Sequence, residues 1–164
     1  NAYQALRLRA LCECPAAFAS SYEEECETPV SVVAELLTAN AGRCMIGAFD
    51  AGGLVGTVGL HREEPRKLAH KALIWGMYVA PESRRRGIGR ELVSHALRQA
   101  AGMSGVRQVN LSVNAENSPA IALYEAMGFA PFGVERAFLL VDGQLHDEIH
   151  MVRPIEGEPH KLDR

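Results

Sequence analysis

The hydrophobic positions change period several times along the chain, and each change marks an element. Tyr3, Leu6, Ala10 and Leu11 recur at helical spacing ahead of Pro15, so a first helix is expected over residues 2–12. Thr28-Pro29 reads as the start of a second helix, with Thr28 as N-cap and Pro29 at the first helical position. Val32, Val33, Leu36 and Leu37 give that helix an apolar face, and Asn40 and Gly42 stop it. The run at residues 44–49 is strand-like. Asp50-Ala51-Gly52-Gly53 then turns the chain and residues 54–60 return, which is the pattern of a β-hairpin.

A polar stretch over residues 61–70 leads to an apolar strand at 72–79, which Pro81 ends. A glycine-bearing segment, 84–90, opens a helix whose apolar face is Leu92, Val93, Ala96, Leu97 and Ala100. Val106, Val109, Leu111 and Val113 mark the next strand, with partial alternation. Ser118-Pro119 starts another helix and Gly128 marks its end. Residues 138–141, Asp142-Gly143 and residues 144–152 form a hairpin signal with a two-residue turn. There is no internal repeat and no linker. A single α+β domain is expected over residues 1–153, followed by a polar, loose tail over 154–164.

Composition narrows the function classes. A chain of 164 residues is long enough for one domain with a real core. At 48% hydrophobic and 23% charged residues it reads as globular rather than disordered. The formal net charge of −3 argues against a nucleic-acid partner. No apolar run approaches the roughly 20 residues of a membrane span, and residues 1–9 show no charged-then-apolar signal pattern. A cytoplasmic protein without a membrane partner is expected. The sequence opens on Asn1 rather than Met, which suggests a trimmed or partial chain.

Cys12, Cys14, Cys26 and Cys44 crowd into the first third without zinc-type spacing, so reduced thiols are expected over a disulfide or a metal. His146 and His150 share a strand face but stand about 13 Å apart, too far for simple co-ligands of one ion. No metal is expected.

The segment from Tyr78 to Arg90 can be read as one physical object. A strand ends at Val79, and three arginines and two glycines then open a helix. Gly87 and Gly89 let a bulky anion approach the backbone. The first helical turn presents N–H groups with no internal partner and a partial positive charge. Arginines add charge-assisted hydrogen bonds to phosphate oxygens. On the residues alone, a glycine turn beside a solvated basic patch remains an equal reading.

Arg84-Arg85-Arg86-Gly87-Ile88-Gly89 resembles the Arg/Gln-x-x-Gly-x-Gly/Ala signature of the GNAT superfamily of N-acetyltransferases. Met77-Tyr78-Val79-Ala80-Pro81-Glu82-Ser83 ahead of it is similar to that family's strand and Val-x-Pro turn. A second block also resembles the family, in its order and at about its spacing. It runs through Leu111-Ser112-Val113-Asn114-Ala115-Glu116-Asn117-Ser118-Pro119-Ala120, then Leu123-Tyr124-Glu125 and Gly128-Phe129. The similarity extends from the first helix to the last hairpin.

The resemblance implies a GNAT-like α+β fold. Its mixed central sheet is flanked by helices and splayed between strands 72–79 and 106–113, and the family's first edge strand is missing from this chain. It implies acetyl-CoA as co-substrate, lying in the splay. Met77, Tyr78 and Val79 would offer backbone groups to the pantetheine arm. Arg84, Arg85, Arg86, Gly87, Ile88, Gly89 and Arg90 would hold the pyrophosphate. The product would be an N-acetylated primary amine of a small molecule or peptide, and a homodimer stays open.

Expelling a thiolate calls for an acid. Tyrosine, with a pKa near ~10 against ~8.5 for a thiol, can protonate the leaving group at neutral pH. Tyr124 sits where the family commonly places that acid; the other reading is a core aromatic. Asn117, beside Ser118, would either bond the cofactor or assist the turn, and Asn114 reads as structural.

A lysine-like acceptor amine is only about one part in 10³ neutral at pH 7, a penalty of ~4–5 kcal/mol. A base is therefore expected, and Glu24, Glu25, Glu63, Glu64, His70 and Glu135 are the candidates. The family often uses a glutamate inside the central strand, but residues 72–79 hold no carboxylate. Phe18, Tyr22 and Trp75 are candidates for lining an acceptor pocket or for simple packing. Two rival readings are an acyl-CoA-binding module without turnover and a dinucleotide-binding domain. The latter lacks its Gly-x-Gly-x-x-Gly.

Overall fold

The computed structural model describes residues 1–155. Six strands form one sheet in the order β1-β2-β3-β4-β6-β5. They are β1 (Arg43–Asp50), β2 (Gly53–Arg62), β3 (Lys71–Val79), β4 (Gln108–Asn114), β5 (Ala130–Val141) and β6 (Gln144–Pro154). The helices are α1 (Ala2–Glu13), α2 (Tyr22–Glu25), α3 (Val30–Leu37), α4 (Ile88–Gly102) and α5 (Ser118–Ala126), with 3-10 turns at Pro15–Ala17 and Pro81–Ser83. Among the described residues no helix is long and apolar enough to cross a membrane.

Every neighbouring pair in the sheet is antiparallel except β3–β4, which is parallel. That pairing holds only at Lys71↔Gln108, Ala72↔Val109 and Leu73↔Asn110, although β3 runs on to Val79 and β4 to Asn114. The sheet is therefore mixed and splayed, as the resemblance implied. The cause is visible on the other side of β3. Thr57 pairs with Tyr78 but Gly59 with Trp75, so Gly76 and Met77 bulge against Val58 alone. Gly76 takes φ +58, which a glycine adopts without steric cost, and the buried Thr57 Oγ1 donates to its carbonyl at 3.3 Å. Such a bulge bends its strand and re-aims side chains.

Ala72 and Ile74 face α4 before the bulge, and Met77 and Val79 after it, while Tyr78 turns toward α1. The main core lies between the sheet and α4 and α5. Leu92, Val93, Ala96, Leu97 and Ala100 of α4, the face the periodicity selected, pack with Val58, Leu60, Val109, Leu111 and Met151. Each such Leu or Val contributes about 1.5–3 kcal/mol when fully buried. On the opposite face Leu6 and Ala10 of α1 pack with Tyr78 and Ala80.

Three local readings change. First, α3 begins at Val30 with Pro29 as its N-cap, not Thr28. Thr28 gives its N–H to Glu25 O instead, and a residue before proline avoids the helical region. Second, α2 has no counterpart in the periodicity. Its capping box, in which Ser21 Oγ accepts from Glu24 N and Glu24 Oε2 accepts from Ser21 N, was nevertheless readable as Ser-x-x-Glu. Third, β5 starts at Ala130, well before residue 138, because two register shifts and a positive φ at Ala137 break its alternation. Of the expected tail, Pro154 closes β6 and Ile155 N–H donates to Arg107 O at 2.8 Å; residues 156–164 lie outside the described residues.

Candidate active site

The splay opens into a groove of about 910 Å³ that runs from the head of α4 to the mouth between β3 and β4. Its floor begins with β3, where Trp75, Gly76, Met77, Tyr78 and Val79 line it. The edge of β3 beyond Leu73 has no partner on β4, and of its peptide groups Val79 O accepts from Arg84 Nε.

At the head of α4 the backbone forms a cradle of unpaired N–H groups. Arg85 has φ +59 and Gly87 φ +81, the alternating handedness that points successive N–H groups to one side. Glu91 N–H is the first in α4 to find an acceptor, Gly87 O at 3.1 Å. Among the described residues the N–H groups of 85–90 have no protein acceptor. Left-handed backbone at a non-glycine residue such as Arg85 costs of order 1 kcal/mol or more, and it concentrates at functional sites. A Cβ at Gly87 would meet nothing within 4 Å, whereas one at Gly89 would touch Met77 Cε and Leu123 Cδ2 at 3.3 Å. Gly87 therefore serves the turn, and Gly89 serves close packing of the helix on β3.

The arginines divide their roles. Arg85 and Arg90 line the groove with Gly87, Ile88 and Gly89. Arg84 also lines it, but its Nε donates to Val79 O at 2.8 Å and its guanidinium sits 5.7 Å from the Tyr78 ring. It holds the end of β3 in place. Arg86 turns to the β1–β2 hairpin, where Nη1 meets Asp50 Oδ2 at 2.5 Å and keeps that carboxyl below its usual range.

A tether joins α1 to this loop. Tyr78 donates its hydroxyl to Glu13 Oε2 at 2.5 Å, and Arg9 bonds both Glu13 and Glu82, each at 2.7 Å. Burial, followed by the Glu13 hydrogen bond, raises the Tyr78 pKa, so its phenol stays a donor. Glu13 is lowered by the Tyr78 bond first and by Arg9 second, and Glu82 is lowered to about 2, chiefly by Arg9.

Across the groove, Tyr124 of α5 is buried against Phe129, edge to face at 5.9 Å. Its environment pushes the phenol up to about 12 by desolvation, which leaves it protonated at neutral pH. Among the described residues its hydroxyl has no hydrogen-bond partner, and it lines the groove. Asn117 also lines the groove, and its side chain caps α5 by accepting from Ala120 N at 3.3 Å. Asn114 is structural: its Nδ2 donates to Ala16 O at 3.0 Å and its Oδ1 accepts from Glu116 N at 2.8 Å.

The base candidates scatter. Glu24 closes the α2 capping box, and Glu25 is held by Arg7 at 2.7 Å. Glu63 and Glu64 line a second depression beside Arg43 that shares Trp75 with the groove. His70 precedes β3, and its carbonyl accepts from Arg107 N. Glu135 stands 3.2 Å from His150 Nε2. Phe18 and Trp75 line the groove, with the Arg7 guanidinium 4.7 Å from the Phe18 ring, while Tyr22 is exposed outside it. The pattern reading set His146 and His150 aside as a metal pair. It missed that His150 bonds Ser112, a groove residue, from the neighbouring strand. The alternation of β6 was the available signal, since it places His150 on the same face as Glu148.

Known proteins share this fold and part of this sequence. A ribosomal protein bS18-alanine N-acetyltransferase of Escherichia coli K12 is 34% identical over 85 residues, covering 52% of this chain and 57% of that protein. The chain thus spans little more than half the length of that relative. An N-alpha-acetyltransferase RimI of Mycobacterium tuberculosis is 34% identical over 114 residues, covering 70% of this chain and 67% of that protein. The structure of yncA from Salmonella typhimurium, solved with its cofactor acetyl-CoA, superimposes with a TM-score of 0.77 at 16% identity, covering 99% of this chain and 92% of that one. Residues 8–129, which run from the middle of α1 through the α4 cradle and Tyr124, match the acetyltransferase (GNAT) family, and the chain belongs to it.

Proposed function

We propose that this protein transfers the acetyl group of acetyl-CoA to a primary amine by direct attack. The observation that carries the reading is the run of acceptor-free N–H groups at 85–90, at the end of a groove that opens between two parting parallel strands. That combination fits a pyrophosphate attached to a long thioester arm. Arg85 and Arg90 would add charge at the cradle, and the free edge of β3 over residues 77–79 would take the amide groups of the arm. When bound, acetyl-CoA would supply an activated acyl carbon with a thiolate leaving group.

Tyr124 is the proposed general acid. It is buried, protonated and open to the groove, so it can hand its proton to a departing sulfur. The acceptor in this reading is a peptide or protein α-amine ahead of a small amine, because relatives at about one-third identity are named for such substrates. The free thiols of Cys12, Cys14, Cys26 and Cys44 suit a reducing, cytoplasmic setting.

The test is a thiol-release assay with acetyl-CoA across a panel of amines that includes peptides with free N-termini. Release that depends on one amine class supports the transferase and names its acceptor. Tight binding of acetyl-CoA without release from any amine would favour an acyl-CoA-binding module instead.

A further inference from the structure

The acceptor-side face of the sheet carries a hydrogen-bonded chain that ends in the groove. Ser112 of β4 pairs in register with His150 of β6, and Ser112 Oγ lies 2.8 Å from His150 Nδ1. His150 Nε2 lies 3.2 Å from Glu135 Oε2 on β5. Gly133 stands opposite His150 next to a register shift of β5. The Phe132 ring lies 6.0 Å from the imidazole. Ser112 is the member that lines the groove, together with Trp75 and Tyr124.

The donor inventory fixes the direction of the chain. A carboxylate only accepts, so Nε2 carries the hydrogen that Glu135 receives. In the neutral imidazole Nδ1 is then the acceptor, and Ser112 donates its hydroxyl to it. The Ser112 oxygen therefore turns its lone pairs toward the groove. We infer that Ser112, His150 and Glu135 form the proton relay that deprotonates the acceptor ammonium, a step that rests on the transferase reading above.

The protons balance. The ammonium N–H passes to Ser112 Oγ as the Ser112 proton passes to His150 Nδ1, leaving a neutral amine and an imidazolium held by Glu135. The amine bonds the thioester carbon, the carbon–sulfur bond breaks, and the sulfur takes the Tyr124 proton. The second N–H proton, lost as the amide forms, restores Tyr124. His150 returns its proton to solvent along its partly exposed edge. Ser112 is the group that touches the amine; His150 and Glu135 act through it. The ionisable side chains facing His150 are Glu135 from β5 and Glu148 from β6, and the Glu148 carboxyl is raised by burial.

The experiment compares wild type with His150→Gln, Ser112→Ala and Glu135→Gln on two acceptors of one shape: an alkyl amine that is an ammonium at pH 7, and a fluorinated analogue that is already neutral. The relay requires His150→Gln to lower kcat/KM roughly a hundredfold on the first amine at pH 7. The second amine should be nearly unaffected, and the loss should shrink as pH rises. Coenzyme A affinity by calorimetry should stay at the wild-type value in all three variants. In the wild type, imidazole ¹⁵N shifts should report the Nε2–H tautomer without any substrate. Equal loss on both amines, no loss on either, or an Nδ1–H tautomer overturns the relay. A wild type that releases no thiol with either amine or with any peptide N-terminus overturns the transferase reading, and the relay falls with it.

Discussion

The indole of Trp75 fills the space over Gly59: a Cβ at position 59 would stand 2.3 Å from Trp75 Cε2 and 2.5 Å from Nε1. The two residues are register partners on β2 and β3, one step from the bulge that starts the splay. Gly59 thus sets the position of a ring that lines the groove. Gly59→Ala must push the indole away, an overpacking cost of about 1–3 kcal/mol. Trp75 is the single tryptophan, so its emission reports the move directly. A lower Tm, a shifted emission maximum and a raised acceptor KM are expected together. Unchanged emission would mean that the ring is not held there.

Gly87 takes φ +81 with open space where a side chain would go. A β-branched residue there is opposed by the backbone conformation rather than by a clash. Gly87→Val is expected to re-form the loop with a different φ and break the cradle, weakening coenzyme A binding at least tenfold by calorimetry. Affinity at the wild-type value would remove the reason for placing the pyrophosphate at residues 85–90.

Tyr124→Phe removes one hydroxyl and keeps the edge-to-face contact with Phe129. Turnover should fall by roughly 10²–10⁴, the usual contribution of a general acid, with coenzyme A affinity preserved. Because desolvation raises the phenol from its ordinary value near 10 to about 12, the contribution of Tyr124 to folding stability should be flat below pH 10. It should then fall as pH climbs toward 12, since the unfolded chain gives up that proton first. The Phe variant should show a shallower alkaline slope than the wild type in a pH series of chemical unfolding, the remainder coming from Tyr78 and Tyr3, which burial also raises. An unchanged slope would show that Tyr124 does not contribute to it.

Arg9 ties α1 to the cradle through Glu82, whose carboxyl is lowered to about 2. A depressed carboxyl stabilises above its ordinary pKa and loses the effect as pH falls toward the folded value. The tether should therefore hold at neutral pH and release between about 4.5 and 2. Hydrogen exchange in α1 is expected to rise over that interval in the wild type. In Glu82→Gln it should be raised already at pH 7, with little change in global stability because the pair is exposed. Identical exchange in both proteins would show that the tether does not restrain α1.

The cradle was legible because all its parts are local. Gly87, Gly89 and the first turn of α4 are neighbours in sequence, so their glycines and the helix start carry the geometry with them. The apolar face of α4 and the hairpin at Asp50–Gly53 were legible for the same reason: period and turn chemistry act over a few residues. The α2 helix and the early part of β5 were not. Four residues are too few for a helical period, and the bulges of β5 erase strand alternation.

What the chain alone determined, then, is most of the elements and the glycine-bearing bend ahead of α4, which depend on interactions between near neighbours. Only the tertiary structure decided which polar groups face one another across the sheet. Ser112 and His150 are 38 residues apart, Tyr78 and Glu13 are 65 apart, and the Arg84 and Arg86 guanidiniums are drawn to Val79 O and Asp50. Those pairings follow from strand order, register and the Gly76 bulge, and each depends on the packing of the whole sheet.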